Sequence, residues 1–220
     1  MSAMQSQEDF AGKSVVITGG TRGIGAGIAR AFLAAGAQVL VCGRTPPAGD
    51  DDLPASGGRA AQFCQADVRD PDQASHLIAA AVEAFGRVDV LISNAGGSPE
   101  AAAATASPRY HARIIELNLV APLHCAQAAN AVMQGQDDGG SIIMIGSVSG
   151  TRPSPGTAAY GAAKAGLQHL VTSLAIEWAP RVRLNNVVPG FAPNQNTSHR
   201  PWITDASFPP ATNAFGFGKI

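Results

Sequence analysis

The sequence predicts an α/β fold: a single domain built on a doubly wound parallel sheet with helices on both faces. Three observations predict it. Short β-branched or apolar runs alternate with helix-like segments, the order that yields a parallel sheet. A glycine cluster falls between the first such run and the first helix. The composition, 45% hydrophobic and 14% charged over 220 residues, supplies one sizeable core and is unlike that of a disordered chain.

The same composition narrows the function. Net charge is −1 and there is no basic block, which argues against nucleic acid or an anionic membrane as the main partner. No apolar run reaches 18 residues, so no membrane span is expected. Residues 1–12 are polar and acidic, a flexible start and neither a signal peptide nor an anchor. Cys42, Cys64 and Cys125 are odd in number and widely spaced, which fits a reducing cytoplasm better than a disulfide framework. The histidines show no ligand spacing, so no metal site is expected.

Residues 13–18 (KSVVIT) form a β-branched run that reads as a buried parallel strand. Gly19-Gly20-Thr21-Arg22-Gly23-Ile24-Gly25 follows at once. Residues 26–35 are a good helix by propensity, ended by Gly36, and residues 38–42 are a second strand. Strand, glycine loop, helix and strand make a βαβ unit. Glycines let the chain turn tightly and bring backbone N–H groups to a bound phosphate, which the helix N-terminus also favours. A tight turn without a ligand would use the same residues.

The spacing Gly19, Gly23, Gly25 is Gly-x-x-x-Gly-x-Gly. In this, the stretch from Thr18 to Gly25 resembles the cofactor loop of the short-chain dehydrogenase/reductase family. The resemblance implies a Rossmann-type fold, with Gly19, Thr21, Arg22, Gly23, Ile24 and Gly25 around a nicotinamide dinucleotide. Dinucleotide folds place an acidic residue near the end of the second strand to bind the ribose hydroxyls. This chain has Gly43-Arg44 there, with Arg22 nearby in the loop. A guanidinium suits a 2′-phosphate, so NADP(H) is expected in preference to NAD(H), which stays possible.

Residues 45–58 read as an irregular surface loop containing Asp50, Asp51 and Asp52. Residues 60–66 are the third strand, ending at Asp67-Val68. The resemblance puts that pair against adenine; a turn or helix-capping aspartate explains Asp67 nearly as well. Residues 71–85 carry apolar side chains at helical spacing. Residues 88–93 are the fourth strand, followed by Asn94-Ala95-Gly96, a second match to the family and a small surface for the cofactor to cross. Residues 98–108 are Ala-rich with two prolines, a mobile loop.

Residues 110–133 are the longest helical pattern, with Asn118 in mid-helix. Asn is unfavourable there and needs a reason. The resemblance supplies one: the residue bends the helix and holds a water that relays protons to a lysine. An Asn satisfied by a neighbouring carbonyl is the other reading. Residues 141–146 are the fifth strand and deliver Ser147. Residues 157–178 are a long helix carrying Tyr160 and Lys164. Residues 182–188 are the sixth strand and close on Pro189-Gly190, which in the family borders the nicotinamide.

Tyr160 and Lys164 are four residues apart and share a helix face. A phenol near its free pKa is a poor acid or base at neutral pH, and a nearby cation favours its charged form. On a lone helix this pair is usually a packed Tyr beside a solvated Lys. The family has its substrate-orienting serine 13 residues before its tyrosine, which here is Ser147. The resemblance therefore implies a catalytic set of Asn118, Ser147, Tyr160 and Lys164.

The match fades after Gly190. Residues 191–220 are proline-rich without clear period, and no seventh strand is recognisable. Two readings of 191–220 stay open: an unusual lid, or a tail replaced by truncation or a frame shift. The expected function is hydride transfer between the nicotinamide and a small-molecule carbonyl or secondary alcohol, for example a ketone, 3-oxoacyl or steroid-like substrate. The expected assembly is a homo-oligomer if the C-terminus permits. The alternative is a non-catalytic or truncated nucleotide-binding protein. A serine hydrolase is distant, because the centre of the elbow-like Gly146–Gly150 segment is Val148 rather than serine.

Overall fold

The computed structural model describes residues 9–49 and 52–190. Expectations for residues 191–220, the missing seventh strand among them, lie outside the described residues, as do Asp50 and Asp51.

The elements run β1 (Ser14–Thr18), α1 (Gly23–Ala34), β2 (Gln38–Gly43), β3 (Ala55–Ser56), β4 (Arg59–Ala60), β5 (Gln62–Gln65), α2 (Pro71–Phe85) and β6 (Val90–Ser93). There follow α3 (Pro108–Ile115), a π-helical turn (Glu116–Val120), α4 (Ala121–Met133), β7 (Gly140–Ile145), a 3-10 turn (Val148–Gly150), α5 (Ala158–Trp178) and β8 (Val182–Val187). The main sheet has the order β5-β2-β1-β6-β7-β8, and every pairing in it is parallel. The chain winds outward from β1 to β5, then returns to the other side of β1 as β6. The boundary between β1 and β6 is thus the topological switch point, where open α/β sheets take their ligands.

Both faces of this sheet are covered, so its inner strands are apolar on successive residues. Val15, Ile17, Val39 and Val41 pack on one side with Ala29 and Leu33 of α1. Val16, Leu40, Leu91 and Ile142 pack on the other with Leu77 of α2, Ala126 of α4 and Leu167 of α5. At the amino ends of the strands, away from the switch point, buried Asp89 accepts from the Ser14 N–H at 2.9 Å. It also pairs with Lys13 at 3.2 Å and Arg87 at 2.7 Å.

Several expectations change in detail. Residues 60–66 are not one strand. Ala60 belongs to a hairpin with Ala55 and Ser56, turned by Gly57 and Gly58 at φ 60° and 72°, and only Gln62–Gln65 joins the sheet. Residues 45–58 therefore hold more regular structure than a surface loop. Helix α1 starts at Gly23, because the glycines of the loop form its first turn. Phe10, counted with the flexible start, stacks edge-on against Phe32 at 5.0 Å, and its N–H bonds the Ala35 carbonyl at 3.0 Å. Among the described residues no helix is long and apolar enough to cross a membrane, and no His/Cys/Asp/Glu group could hold a metal ion.

Candidate active site

The glycine loop and Asn94 meet at the switch point. Thr18 Oγ1 accepts from the N–H groups of Asn94 at 3.0 Å and Ala95 at 2.9 Å. Asn94 Nδ2 donates to the carbonyls of Thr18 at 3.0 Å and Gly19 at 3.1 Å. These four bonds lock the end of β6 to the end of β1. They leave no room for side chains: a Cβ on Gly25 would press into the Gly19 carbonyl oxygen and stand 2.6 Å from Asn94 Nδ2. The first turn of α1 has no side-chain cap and no acidic residue, and Arg22 and Gly23 at its mouth are exposed. Its N–H groups therefore suit an anion, and the cradle fits a dinucleotide pyrophosphate.

Arg44 is exposed just beyond β2, and its carbonyl accepts from Gln65 Nε2 at 2.9 Å. Asp67 follows β5 and is bound to Arg69, whose guanidinium and N–H both donate to its carboxylate. That pairing holds the Asp67 carboxyl below the usual carboxylate range. Asp67 does not cap α2; Asp70 does, accepting from Asp72 N–H at 2.9 Å. Val68 is buried in the core cluster.

Asn118 is fully buried in the π-helical turn. The Ala121 N–H reaches back five residues to the Glu116 carbonyl. Pro122 has no N–H to offer the Asn118 carbonyl four residues earlier, so a regular α-helix cannot run through this point. The Asn118 side chain accepts from the Gly97 N–H at 2.9 Å and donates to the carbonyls of Gly97 and Ile114, each at 2.9 Å. This geometry contains a local break in the helix and neighbouring carbonyl partners for Asn118.

Lys164 is 3% exposed, and its Nζ donates to the Ile145 carbonyl at 2.8 Å. It stands 5.7 Å from the centre of the Tyr160 ring, within range of a cation–π contact. Burial lowers its pKa from 10.5 to about 8. A Cβ added to Gly96 would meet Asn118 Oδ1 at 2.7 Å and Lys164 Nζ at 3.4 Å, so both side chains converge on that glycine. Ser147 follows β7 by two residues and caps the 3-10 turn, its Oγ accepting from the Ser149 N–H at 3.1 Å. That turn lies on α5: a Cβ on Gly150 would stand 2.7 Å from the backbone of Lys164 and Ala165. Pro189 receives the Val148 N–H at its carbonyl, 3.2 Å away, which draws the end of β8 to the same place.

The structure thus gathers Asn118, Tyr160, Lys164 and Gly96 into one group and places the turn that Ser147 caps against the same stretch of α5. The glycine loop and Asn94-Ala95 adjoin it, while Arg44 and Asp67 follow the carboxyl ends of β2 and β5, the outer strands on that side of the sheet. Residues 98–108, read as a mobile loop, are tied on both flanks. Tyr110 Oη donates to the Pro99 carbonyl at 2.6 Å, and the Ala101 N–H donates to the Gly156 carbonyl at 2.8 Å. Sequence reasoning missed three participants: the Thr18 hydroxyl, the Ile145 carbonyl and Arg69. Pro122, four residues after Asn118, was the signal available for the break in the helix.

Comparisons with known proteins bear on the family and the fold. A family model described as short chain dehydrogenase matches residues 13–201. An uncharacterised oxidoreductase of Mycobacterium tuberculosis is 38% identical over 180 residues, covering 81% of this chain and 68% of the relative. A 3-oxoacyl-[acyl-carrier-protein] reductase of Synechocystis is 35% identical over 189 residues, covering 84% and 76%. The crystal structure of a short chain dehydrogenase from Mycobacterium smegmatis superposes with a TM-score of 0.78 at 28% identity, covering 88% of this chain and 82% of that one. An NADH-dependent reductase complexed with NAD gives 0.76 at 27% identity, covering 84% and 81%.

Proposed function

The chain belongs to the short-chain dehydrogenase family of oxidoreductases, and from that premise we propose that it interconverts a small-molecule carbonyl and a secondary alcohol with NADP(H). One observation carries the reading: Asn118 and Lys164 converge on Gly96, while the same lysine lies under Tyr160 and clasps the strand that delivers Ser147. The cofactor, when bound, supplies the hydride from nicotinamide C4.

The protein supplies position and a proton. In reduction, Tyr160 gives the proton of its hydroxyl to the substrate oxygen as the carbonyl carbon accepts hydride; in oxidation it takes that proton back. Ser147 holds the same oxygen by a hydrogen bond. Lys164 provides the positive field beside the phenol and a donor for the nicotinamide ribose. Asn118 anchors the relay that returns a proton to the site. Gly19, Thr21, Arg22, Gly23, Ile24 and Gly25 hold the pyrophosphate, Asn94, Ala95 and Gly96 floor the site, and Pro189 and Gly190 border the nicotinamide.

The preference for NADP(H) over NAD(H) rests on Arg22 and Arg44, both exposed at the adenosine end. Three free, buried cysteines suit a reducing compartment such as the cytoplasm. The homo-oligomer implied by the resemblance belongs to the same proposal. The test is NADPH oxidation against a panel of ketones. Tyr160→Phe should lower kcat about 10²- to 10⁴-fold with cofactor affinity unchanged. A variant that turns over like wild type would overturn the assignment.

A further inference from the structure

We propose that Tyr110 is a positioning residue for the carbonyl substrate: its hydroxyl ties the strap of residues 97–101 to α3 and so holds that strap as one wall of the cleft beside Tyr160 and Lys164. The inference rests on the carbonyl–alcohol reading above and adds one residue to it. The strap leaves the floor of the site at Gly96, the glycine on which Asn118 and Lys164 converge. Gly97 is clasped by the Asn118 side chain, which accepts its N–H and donates to its carbonyl, each at 2.9 Å. At the other end the Ala101 N–H donates to the Gly156 carbonyl at 2.8 Å, and Glu100 Oε1 stands 2.9 Å from where a Gly156 Cβ would be. Gly156 precedes Tyr160 by four residues and α5 by two. The strap therefore passes from beside Lys164 to beside the start of the helix that carries Tyr160. A substrate whose oxygen reaches Tyr160 has this segment along one flank.

Ser98, Pro99 and Glu100 span the gap between the two anchored ends. Among the described residues, Tyr110 supplies the hydrogen bond that joins this span to another helix. Its Oη donates to the Pro99 carbonyl at 2.6 Å and lies 3.1 Å from Ser98 Oγ. Ser98 Oγ donates to the same carbonyl at 2.8 Å, so both lone pairs of that oxygen are used. The phenol is itself held in place. Ser107 Oγ accepts the Tyr110 N–H at 3.1 Å, the ring meets His111 edge-on at 5.5 Å, and α3 packs on α5. The hydroxyl thus braces the strap against the helix that carries Tyr160 and Lys164. Asn118 holds Gly97 by bonds of its own, so the floor at Gly96 does not depend on the phenol. Losing the hydroxyl frees the span and widens the set of positions the wall can take. Substrate fit then weakens while the proton donor stays where it was.

The test is steady-state kinetics of the full chain at saturating NADPH, with a ketone that the wild type reduces. Tyr110→Phe keeps the ring and removes the hydroxyl. It should raise KM about threefold to tenfold, with kcat changed less than about twofold and NADPH affinity retained. Ala101→Pro removes the N–H at the far end of the strap and should raise KM by a similar factor. Combined, the two should cost less than the product of their separate factors, because each frees the same span. The retained NADPH affinity also reports that the variants fold. The proposal is overturned if Tyr110→Phe keeps the wild-type KM, or if it lowers kcat and NADPH affinity along with raising KM, the mark of a general loosening. Wild-type protein that reduces no ketone would instead overturn the carbonyl–alcohol reading, and this proposal with it.

Discussion

Lys164 Nζ donates a 2.8 Å hydrogen bond to the carbonyl of Ile145, two residues before Ser147. The bond joins α5 to the end of β7, so the helix that carries Tyr160 and the strand that delivers Ser147 cannot drift apart. It also gives a buried ammonium one fixed partner, which limits the cost of taking that charge out of water.

Lys164→Met should stabilise the fold while abolishing turnover. Burial lowers the Lys164 pKa from 10.5 to about 8, so the native state binds fewer protons than the unfolded chain between those values. The penalty is therefore full below pH 8 and fades as pH rises toward 10.5. Its upper bound is about 3 kcal/mol, offset in part by the Ile145 bond. Thermal melts at pH 7 should show the variant higher by ~3 °C, a gap that closes by pH 10. A variant melting below wild type at pH 7 would contradict this. In wild-type enzyme, kcat/KM for NADPH should fall as pH rises through about 8, because the cation is lost.

Two glycines two residues apart should respond with opposite signs. Gly25→Ala drives its Cβ into the Gly19 carbonyl and should cost about 1–3 kcal/mol and cofactor binding. Gly27 lies in α1, and a methyl group there would meet nothing within 4 Å. Gly27→Ala should therefore stabilise by about 0.5–1 kcal/mol and leave activity intact. Denaturant midpoints for both variants check the pair.

Arg44→Ala should raise KM for NADPH about tenfold, the worth of a charge-assisted hydrogen bond, with KM for NADH unchanged. Steady-state kinetics with each cofactor decide it. Equal losses for both would mean that Arg44 does not read the 2′-phosphate.

Asp89→Ala should destabilise by about 1–3 kcal/mol, chiefly because the buried Ser14 N–H loses its acceptor, while Lys13 and Arg87 are partly exposed and keep Asp138. The cluster sits at the amino ends of the strands, so kcat should not change. Urea unfolding, together with kcat measured well below the unfolding transition, checks both halves.

The sheet was legible because parallel strands covered on both faces write themselves as unbroken apolar runs, as Val15-Val16-Ile17 and Ile142-Ile143-Met144 do. Tyr160, Lys164 and Asn118 were legible by their order along a recognisable pattern. The π-helical turn was not, because it depends on Pro122 withholding one N–H, an event that apolar periodicity does not register. The hairpin of β3 and β4 was hidden because Ala60 and Ala61 continue the apolar run of β5. The Asp67–Arg69 pair was hidden because side chains two residues apart meet only when the backbone turns, which no spacing rule foretells.

The link between Ala101 and Gly156 is made by an amide and a carbonyl, and takes nothing from the identity of any side chain. Gly156 itself is constrained, at φ 74° with Glu100 2.9 Å from where its Cβ would stand, but the bond asks nothing of the side chain of Ala101. A lineage could change exposed positions of these loops that make no side-chain bond, such as Arg152, and the tie between the two loops would persist.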